Sequence, residues 1–416
     1  MKHTNSLKKM LRLCKFRNFS ARFKRNIKVF SVIVLGGVVM QCSPREKETA
    51  MKINWESLPD IPSANKETVQ KGLAGPLAGI ASNVLVVAGG ANFPDLLPWE
   101  GGAKKYYDDI FFLPLNENDT AWQITGTKLP VPLGYSACVS LNNEIICVGG
   151  ENLNGPLSGV LKLKFDRGEV QISTLTDFPV AVSNCGAAAI GPVVYVAGGL
   201  GAEGYLSTFY CADVSKDTPE WVKLPDLPQP VSNAVVVSQW DGNEDCIYVL
   251  GGRNRDGELS IFFSSVLKYS PSEKVWKQVG NISGAQNMPV TLAAGTGAAV
   301  GKNHILLFGG DNGRLFNKTE AFINAVAAAE TPEEKAEINS RKIKHLESHP
   351  GFDRQVFWYN TLTNESGLME GLPFSTQVTT AAVKSGNRIY IPNGEIRPGV
   401  RTPKVNVADL SGDKLE

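Results

Sequence analysis

A short apolar run that ends in two consecutive glycines occurs five times in this 416-residue chain. A sixth run, RIYIPNG, keeps the apolar residues and the second glycine, carries Asn393 in place of the first, and is followed at once by Glu395. The spacings between successive copies are 60, 49, 53, 58 and 84 residues. The chain therefore repeats one unit six times. The five intact runs are VLVVAGG, EIICVGG, VVYVAGG, CIYVLGG and HILLFGG, with first glycines Gly89, Gly149, Gly198, Gly251 and Gly309.

A repeat of roughly 50 residues with a double glycine and a later aromatic residue is typical of a kelch β-propeller, in which each repeat forms one four-stranded blade. The later aromatic is Trp122, Trp221 or Trp276 in three of the repeats. The 41 glycines and 24 prolines fit many short strands joined by turns. We therefore predict an all-β fold, a six-bladed kelch β-propeller that spans residues 53–416 as one ring.

The two ends of the chain complement each other. Residues 53–58 resemble the last strand of a blade, but no earlier strands of that blade precede them. Those strands are predicted near the C-terminus, at residues 376–384, 388–393 and 401–410. Pairing the N-terminal strand with them closes the ring and removes the exposed sheet edges of an open array. We expect residues 53–58 to complete the sixth blade.

Two long connections interrupt the repeat, and both follow a double glycine. One is the loop 91–104, ANFPDLLPWEGGAK. The other lies in the fifth repeat, where Thr331 is a plausible N-cap, Pro332 suits the first helical position and Glu334 completes a capping box. We predict a helical insert in the fifth blade, forming a lid at about residues 318–350. Long ordered inserts in compact domains are usually functional.

The N-terminus has the pattern of an export signal. A basic stretch precedes the apolar run 29–40, which is short for a bilayer span, so residues 1–42 are predicted to be a signal peptide. The run ends in Gln41-Cys42-Ser43, which resembles a bacterial lipoprotein cleavage site with Cys42 as the lipidated residue. Residues 43–52 then form a polar tether. The expected location is periplasmic, or the outer membrane through a lipid anchor; simple secretion is the alternative.

The composition limits the function classes. The 42 basic and 41 acidic residues nearly balance, which argues against nucleic acid as the partner. The four histidines are scattered and share no ligand spacing with the seven cysteines, so no metal site is predicted. A copper oxidase of the kelch class would need histidines at the ring mouth. Cys138 and Cys147 face each other across a predicted hairpin; two buried thiols are favoured over a disulfide.

The topology predicts where a site should lie. In a four-stranded antiparallel blade, the loop after the second strand and the loop before the first emerge on the same face. Polar residues at both places should line one mouth of the ring, which is the default ligand site. An asparagine there can equally be a turn residue, and Glu151 and Arg253 can equally form an ordinary ion pair. The residues are Asn92, Glu151, Arg253, Asn254, Asp311, Asn312 and Glu395 after the glycines, and Tyr135, Asn184, Asn233, Asn287 and Gln377 at the inner strands.

Glu395 differs from the rest because it follows the degenerate repeat and precedes Arg397 and Arg401. A carboxylate among arginines is expected to have a lowered pKa, which suits a base. The segment Asn393–Thr402, NGEIRPGVRT, resembles the NGE-x-[KR]-PG-x-RT segment of bacterial N-acetylneuraminate epimerases. Residues 72–94, with GLAGPLAGIA and GGANFP, and KKYYDD at 104–109 resemble that family too. The blade that carries the glutamate comes last here, as in the cyclically permuted branch of the family.

The resemblance implies residue roles and a reaction. Glu395 corresponds to the proposed proton acceptor, and Lys105 and Arg401 fall in matching segments. The implied reaction interconverts the α and β anomers of a sialic acid by ring opening, with no metal or cofactor, and Arg401 or Arg397 would hold the sugar carboxylate. Because propellers host unrelated functions, a non-catalytic carbohydrate- or protein-binding module and a mutarotase of another sugar are the alternatives.

Overall fold

The computed structural model describes residues 51–65, 69–115 and 121–410. Six four-stranded antiparallel sheets lie within these residues, which confirms the six-bladed propeller. The predicted signal 1–42, with Cys42, lies outside the described residues. Within the described part, no helix has the length and apolar character needed to cross a bilayer.

The first half of the described chain forms β1 and the first three blades, each with a short hairpin after its second strand. β1 is Asn54–Leu58. Blade 1 contains β2 (Leu77–Ala81), β3 (Val84–Ala88), the hairpin β4 (Ala91–Asn92) and β5 (Lys105–Tyr106), β6 (Ile110–Pro114) and β7 (Gln123–Ile124). Blade 2 contains β8 (Ala137–Leu141), β9 (Glu144–Val148), the hairpin β10 (Glu151–Asn152) and β11 (Gly155–Pro156), β12 (Val160–Asp166) and β13 (Glu169–Thr174). Blade 3 contains β14 (Gly186–Ile190), β15 (Val193–Ala197), the hairpin β16 (Leu200–Gly201) and β17 (Gly204–Tyr205), β18 (Phe209–Asp213) and β19 (Val222–Lys223).

The second half forms blades 4 to 6. Blade 4 contains β20 (Val235–Trp240), β21 (Asp245–Leu250), the hairpin β22 (Arg253–Asp256) and β23 (Leu259–Phe262), β24 (Ser265–Ser270) and β25 (Val275–Asn281). Blade 5 contains β26 (Thr296–Val300), β27 (His304–Gly310), the helices α1 (Arg314–Ala328) and α2 (Pro332–Glu347), β28 (Asp353–Asn360) and β29 (Ser366–Leu368). Blade 6 contains β30 (Val383–Ser385), β31 (Arg388–Pro392), the hairpin β32 (Glu395–Arg397) and β33 (Val400–Arg401), and β34 (Val405–Asp409).

The sixth blade takes its outer strand from the N-terminal end of the described chain. β1 pairs antiparallel with β34, in a register that runs from Asn54 opposite Asp409 to Leu58 opposite Val405. The side chain of Trp55 packs edge-to-face on Phe374, with ring centroids 5.1 Å apart. Residues far apart in sequence therefore form one blade, and β1 covers the edge that β34 would otherwise expose.

The inner strands of the blades carry small side chains because these strands crowd around the central axis. A Cβ on Gly186 of β14 would lie 2.1 Å from Cγ2 of Val236 on the next inner strand. The second strands, by contrast, are apolar and buried on both faces over most of their length, as in Val84–Ala88 of β3. Packing between neighbouring blades through these apolar strands builds the core, so the polar groups are left at the rims and along the axis.

A closed ring of backbone hydrogen bonds surrounds the axis at one mouth. One residue per blade has a left-handed backbone, with φ between 51° and 62°. Its N–H donates to the carbonyl of the equivalent residue in the preceding blade, at 2.7 to 3.0 Å. We call these six residues the axial ring. They are Gly75, Tyr135, Asn184, Asn233, Ala294 and Thr379.

Three of the five predicted inner-strand residues belong to this ring, namely Tyr135, Asn184 and Asn233. The prediction is wrong for the other two: Asn287 lies in a short 3₁₀ turn, and Gln377 is buried and hydrogen-bonds Asn406. Alanine and threonine occupy the ring positions of blades 5 and 6 instead. Neither residue type signals a left-handed backbone in a sequence.

The double glycines are explained by the same backbone geometry. The first glycine of each intact pair has φ between 55° and 65°. Asn393, which replaces the first glycine in the sixth repeat, has φ 58°. Asparagine tolerates the left-handed region better than other non-glycine residues, so the degenerate repeat keeps the turn that delivers Glu395 to the mouth.

The helical insert occupies the place of the hairpin in blade 5. Helix α1 begins at Arg314, earlier than the predicted start near 318, directly after Gly313 with φ 87°. Helix α2 begins as predicted: Thr331 accepts from the N–H of Glu334 at 3.2 Å. The Glu334 carboxylate reaches back to the N–H of Glu330 at 3.2 Å, one residue before the position that a capping box requires. Glu320 docks α1 onto blade 4 by accepting from the N–H and Oγ of Ser260, at 2.7 and 3.0 Å.

Candidate active site

One residue per blade occupies an equivalent position directly after the second glycine. Its backbone pairs with the residue that directly precedes the axial-ring residue of the same blade. The six positions therefore surround the mouth of the propeller at the same level. Four of the six carry ionisable side chains, which gathers charges from distant parts of the sequence around one opening. The six residues are Ala91, Glu151, Leu200, Arg253, Asp311 and Glu395.

Glu395 is held by its own hairpin. It lies opposite Arg401 across β32 and β33, with Oε2 3.2 Å from Nη2 of the arginine. The N–H of Gly399, at the hairpin turn, donates to Oε1 at 2.8 Å. The side chains of Glu395 and Arg401 are only 16% and 6% exposed. The turn and the cross-strand register together fix both carboxylate oxygens.

Burial raises the pKa of Glu395 above its usual value, and the charge of Arg401 and the N–H of Gly399 offset only part of this effect. The expectation of a lowered pKa is therefore wrong. The physical reason is that removing the carboxylate from water costs more than one arginine and one backbone donor return. A carboxylate with a raised pKa is a stronger proton acceptor than a free glutamate, so the site is suited to general base catalysis.

Arg401 has hydrogen-bond donors without an acceptor among the described residues. Its Nε and Nη1 are buried and have no hydrogen-bond partner among the residues that the structure describes. Its guanidinium carbon lies 4.8 Å from the ring centroid of Phe93. A cavity of about 370 Å³ between the loop 91–104 and the β32–β33 hairpin is lined by Arg401, Phe93 and Gly399, among others. These two unpaired N–H groups lie on different edges of the planar guanidinium, and each can donate to an anion such as a carboxylate.

A second charged cluster lies in blades 1 and 2. Glu151 accepts from Lys104 Nζ at 3.1 Å, from the Tyr106 hydroxyl at 2.6 Å and from Ser183 Oγ at 2.8 Å. Burial alone would raise the pKa of Glu151, but these donors lower it overall. The ammonium of Lys104 lies 4.7 Å from the ring centroid of Tyr106 and 4.4 Å from that of Tyr135, within the range of cation–π contacts.

Tyr135 joins the two clusters. This axial-ring residue interacts electrostatically with Lys104, Glu395, Arg401 and Glu151, and burial raises the pKa of its hydroxyl. Glu395 and Glu151 thus have environments that push their pKa values apart, upward for Glu395 and downward for Glu151. Such a divergence is how paired carboxylates acquire different roles: Glu395 can exchange a proton, whereas Glu151 remains a fixed charge that holds Lys104.

Lys104 was missed in the sequence analysis, which named its neighbour. Lys105 is exposed, and its Nζ lies over Tyr107 at 5.0 Å from the ring centroid, so the structure does not bring it to the cluster. The segment Lys104-Lys105-Tyr106-Tyr107 is extended, and side chains alternate faces in such a segment. The alternation places Lys104 with Tyr106 toward the mouth, and this period-two pattern is the signal that could have found it.

Two predicted asparagines have different surroundings. Asn92 is buried, donates to the carbonyl of Gly72 at 3.0 Å and accepts from the Tyr107 hydroxyl at 2.8 Å; it holds the base of the loop 91–104. Asn184 belongs to the axial ring, and its Nδ2 lies 3.5 Å from a carboxylate oxygen of Glu151. Of the two, the structure brings Asn184 to the charged mouth.

The other predicted residues lie toward the insert or in solvent. Arg253 does not pair with Glu151. It donates to Ser260 Oγ at 3.2 Å and lies over the ring of Phe316 of α1, 4.4 Å from the centroid. The side chain of Asn312 accepts from the N–H of Arg314 at the start of α1, at 3.1 Å. Arg397 is exposed on β32.

The loop 91–104 packs against the hairpin that carries Glu395. At Gly399, a Cβ would lie 3.0 Å from Cδ of Pro98 and 3.4 Å from the indole of Trp99. The backbone of Gly399 also has φ 74°, so only glycine fits between the loop and the hairpin without strain. The same residue supplies the N–H that binds Glu395. The loop 91–104 and the hairpin that carries Glu395 are thus positioned together.

Within the described ranges, no three histidine, cysteine, aspartate or glutamate side chains converge in a way that could hold a metal ion. The groups around Glu395 are this raised-pKa carboxylate, the cations Arg401 and Lys104 and the Tyr135 hydroxyl. These groups can move a proton and orient an anionic, hydroxyl-rich molecule.

Comparisons with known proteins agree with this arrangement. The family model of NANM, N-acetylneuraminate epimerase, matches residues 36–172 and 175–416. An N-acetylneuraminate epimerase of Salmonella typhimurium is 31% identical over 247 residues, which cover 58% of this chain and 60% of that protein. One of Haemophilus influenzae is 31% identical over 235 residues, 56% of this chain and 58% of that protein. The aligned part therefore spans less than two thirds of these relatives.

A similar fold is found among solved structures. The structure of YjhT superposes with a TM-score of 0.57 at 12% sequence identity, and the match covers 83% of this chain and 95% of that chain. At this identity the likeness concerns the fold alone. The family match extends over far more than half of the sequence. The chain belongs to the N-acetylneuraminate epimerase family.

Proposed function

We propose that this protein is a sialic acid mutarotase that interconverts the α and β anomers of N-acetylneuraminate. The observation that carries the proposal is the pair Glu395–Arg401: a buried carboxylate with a raised pKa lies 3.2 Å from an arginine that has two buried N–H groups without a partner. A sialic acid bears a carboxylate on the same carbon as its anomeric hydroxyl. One neighbouring acid-binding arginine and one base therefore match the substrate.

The reaction needs two proton transfers. Glu395 accepts the proton of the anomeric hydroxyl while the bond between the anomeric carbon and the ring oxygen breaks, and the ring oxygen takes up a proton from the same carboxyl group or from another donor at the mouth. The product is the open-chain keto form, in which rotation about the adjacent carbon–carbon bond exposes the other face of the carbonyl. Re-closure with reversal of both transfers gives the other anomer. Because the reaction is spontaneous, positioning and acid–base assistance suffice.

The remaining charges have supporting roles. Arg401 holds the sugar carboxylate through an unpaired N–H of its guanidinium and so aims the anomeric centre at Glu395. Lys104, fixed by Glu151 between two tyrosine rings, supplies positive charge where the ring oxygen becomes basic. The Tyr135 hydroxyl lies between the clusters and can bridge the substrate to either.

Anomer exchange measured by NMR tests the proposal. Freshly released α-anomer of N-acetylneuraminate is mixed with the full-length protein or with the Glu395→Gln variant, and the approach to equilibrium is followed against the spontaneous rate. We expect the wild type to accelerate exchange and the variant to lose roughly 100-fold or more of that acceleration, the usual contribution of a general base. Glutamine keeps the shape of the side chain, so the fold should survive.

Each outcome has a definite meaning. Equal acceleration by both proteins would leave the reaction in place and remove Glu395 from it. No acceleration by a folded wild type would refute the sialic acid assignment. Measurable binding of N-acetylneuraminate without exchange would then favour the binding-module alternative, and acceleration of another sugar would favour a mutarotase of different specificity.

We also propose that the protein is exported and anchored through Cys42. The support is the sequence pattern at residues 1–43, a basic stretch followed by an apolar run and Gln-Cys-Ser. The mass of the mature N-terminus distinguishes the outcomes: a chain that begins with an acylated Cys42 supports the anchor, and an unmodified chain cleaved elsewhere near the run supports simple secretion.

A further inference from the structure

Two cysteines face each other on neighbouring strands of blade 2. Cys138 on β8 and Cys147 on β9 are directly opposite in the antiparallel register. Directly opposed residues have Cα atoms about 4.5 or 5.5 Å apart, and both spacings lie within the range that disulfides span. Their Sγ atoms lie 3.2 Å apart and both thiols are free. That separation exceeds a disulfide bond by only about 1.2 Å.

The two thiols have different access to solvent. Cys147 is 1% exposed and belongs to the core between blades 1 and 2. Cys138 is half-buried and lines the axial channel, a cavity of about 430 Å³ between the inner strands. Cys138 also lines the narrower space just below the axial ring. A small molecule in the channel can therefore reach Cys138, whereas Cys147 is reached only from Cys138.

We propose that Cys138 and Cys147 form a cross-strand disulfide by exchange with a small-molecule disulfide that enters the channel. The Cys138 thiolate attacks one sulfur of the oxidant RS–SR, which breaks its S–S bond and releases RS⁻. Cys147 then loses its proton and attacks the Cys138 sulfur of the mixed disulfide, releasing a second RS⁻. The protein loses two electrons and two protons, and the oxidant becomes two thiols.

The asymmetry of the pair determines the order of these steps. The neighbouring Cys138 thiol, together with burial, raises the pKa of Cys147, so Cys147 remains protonated and unreactive until the mixed disulfide is beside it. A third cysteine, Cys185, lines the same channel, but it directly precedes β14 of the next blade and has no directly opposed cysteine. It serves as the matched comparison, because its access is similar and its pairing geometry is not.

Peptide mapping after oxidation tests the proposal. The full-length protein is incubated with bis(2-hydroxyethyl) disulfide, quenched by alkylation under denaturing conditions, and digested. Trypsin leaves Cys138 and Cys147 on one peptide, 129–162, and Cys185 on another, 168–216. Cleavage at Glu144 separates Cys138 from Cys147, so a cross-link holds the two fragments together until it is reduced. We expect peptide 129–162 to lose two hydrogens and to escape alkylation.

Variants distinguish this pair from other oxidations. Cys185→Ser should form the cross-link as the wild type does, whereas Cys138→Ser and Cys147→Ser should not form it. In Cys147→Ser, the mixed disulfide on Cys138 should persist, because the resolving thiol is gone. A link between peptides 129–162 and 168–216, or complete alkylation of Cys138 and Cys147 after oxidation, would overturn the proposal. The mapping does not depend on catalytic activity, so it stands apart from the assignment of a mutarotase.

Discussion

The two arginines of the catalytic hairpin provide a matched test of the site. Arg401 and Arg397 lie on the same β32–β33 hairpin, but Arg401 is 6% exposed and paired with Glu395, whereas Arg397 is exposed. Replacing each in turn by methionine removes the same charge from the same hairpin. The sequence alone allowed either arginine to bind the substrate carboxylate; the structure favours Arg401.

The expected loss follows from the two unpartnered N–H groups of Arg401. A hydrogen bond to a charged group contributes about 1.5–3 kcal/mol, and the bonds made by one guanidinium are not additive. We therefore expect Arg401→Met to lose about 3 kcal/mol of transition-state stabilisation, a decrease of roughly 150-fold in kcat/KM. Arg401→Lys should recover only part of it, because lysine keeps the charge but lacks the planar fork.

The assay is NMR anomer exchange at several pH values, with thermal unfolding to verify the fold of each variant. Arg397→Met should stay within about threefold of wild type, as for a solvent-exposed surface change. Since Arg401 holds the pKa of Glu395 down against the effect of burial, Arg401→Met should also move the acid limb of the profile to higher pH. Equal losses in the Arg401 and Arg397 variants, or an unchanged Arg401→Met, would refute the reasoning.

Three further predictions follow from the same geometry. In the wild type, kcat/KM should rise with pH along a limb whose midpoint lies above 4.5, because burial raises the pKa of Glu395 and only its carboxylate accepts a proton; a limb at or below that value would contradict the assignment. Lys104→Gln should reduce kcat/KM by roughly tenfold or more through loss of a charge contact, with Lys105→Gln near wild type, and the reverse order in the same assay would remove Lys104 from the site. Ala294→Gly should raise the free energy of unfolding by about 0.5–1 kcal/mol, because a left-handed alanine costs about 1–2 kcal/mol and glycine returns part of this as chain entropy. Ala299→Gly, in the strand that follows, should lower it; calorimetry that shows both variants destabilised would contradict the strain in the axial ring.

The fold could be predicted from the sequence because the chain is repetitive. Six glycine-ended apolar runs predicted six blades. A strand buried on both faces needs apolar residues, and the left-handed turn after it needs glycine or asparagine, so both requirements can be recognised from residue types. The unpaired N-terminal strand likewise predicted the closure with β34. Glu395 stood out because it broke the repeat while Asn393 preserved the turn.

The candidate site could be predicted only in part from the sequence. The pKa of Glu395 was predicted in the wrong direction, because nearby arginines are visible in a sequence and the extent of burial is not. Lys105 was named instead of Lys104, because the face of a strand that points to the mouth depends on one residue of register. An ion pair between Glu151 and Arg253 was left open as an alternative, whereas in the structure Glu151 pairs with Lys104 of blade 1.

The sequence by itself determined the number of blades, the strand that closes the ring, and the face on which polar loops gather, since these follow from local residue patterns repeated along the chain. Only the tertiary structure decided which charges meet. The interacting groups of the site come from three blades, and their pairing depends on the closure of the ring and on how deeply each group is buried. They are Glu395, Arg401, Tyr135, Lys104 and Glu151. Electrostatic interactions and desolvation act through space, so their outcome is set by the assembled ring and not by the order of residues in the chain.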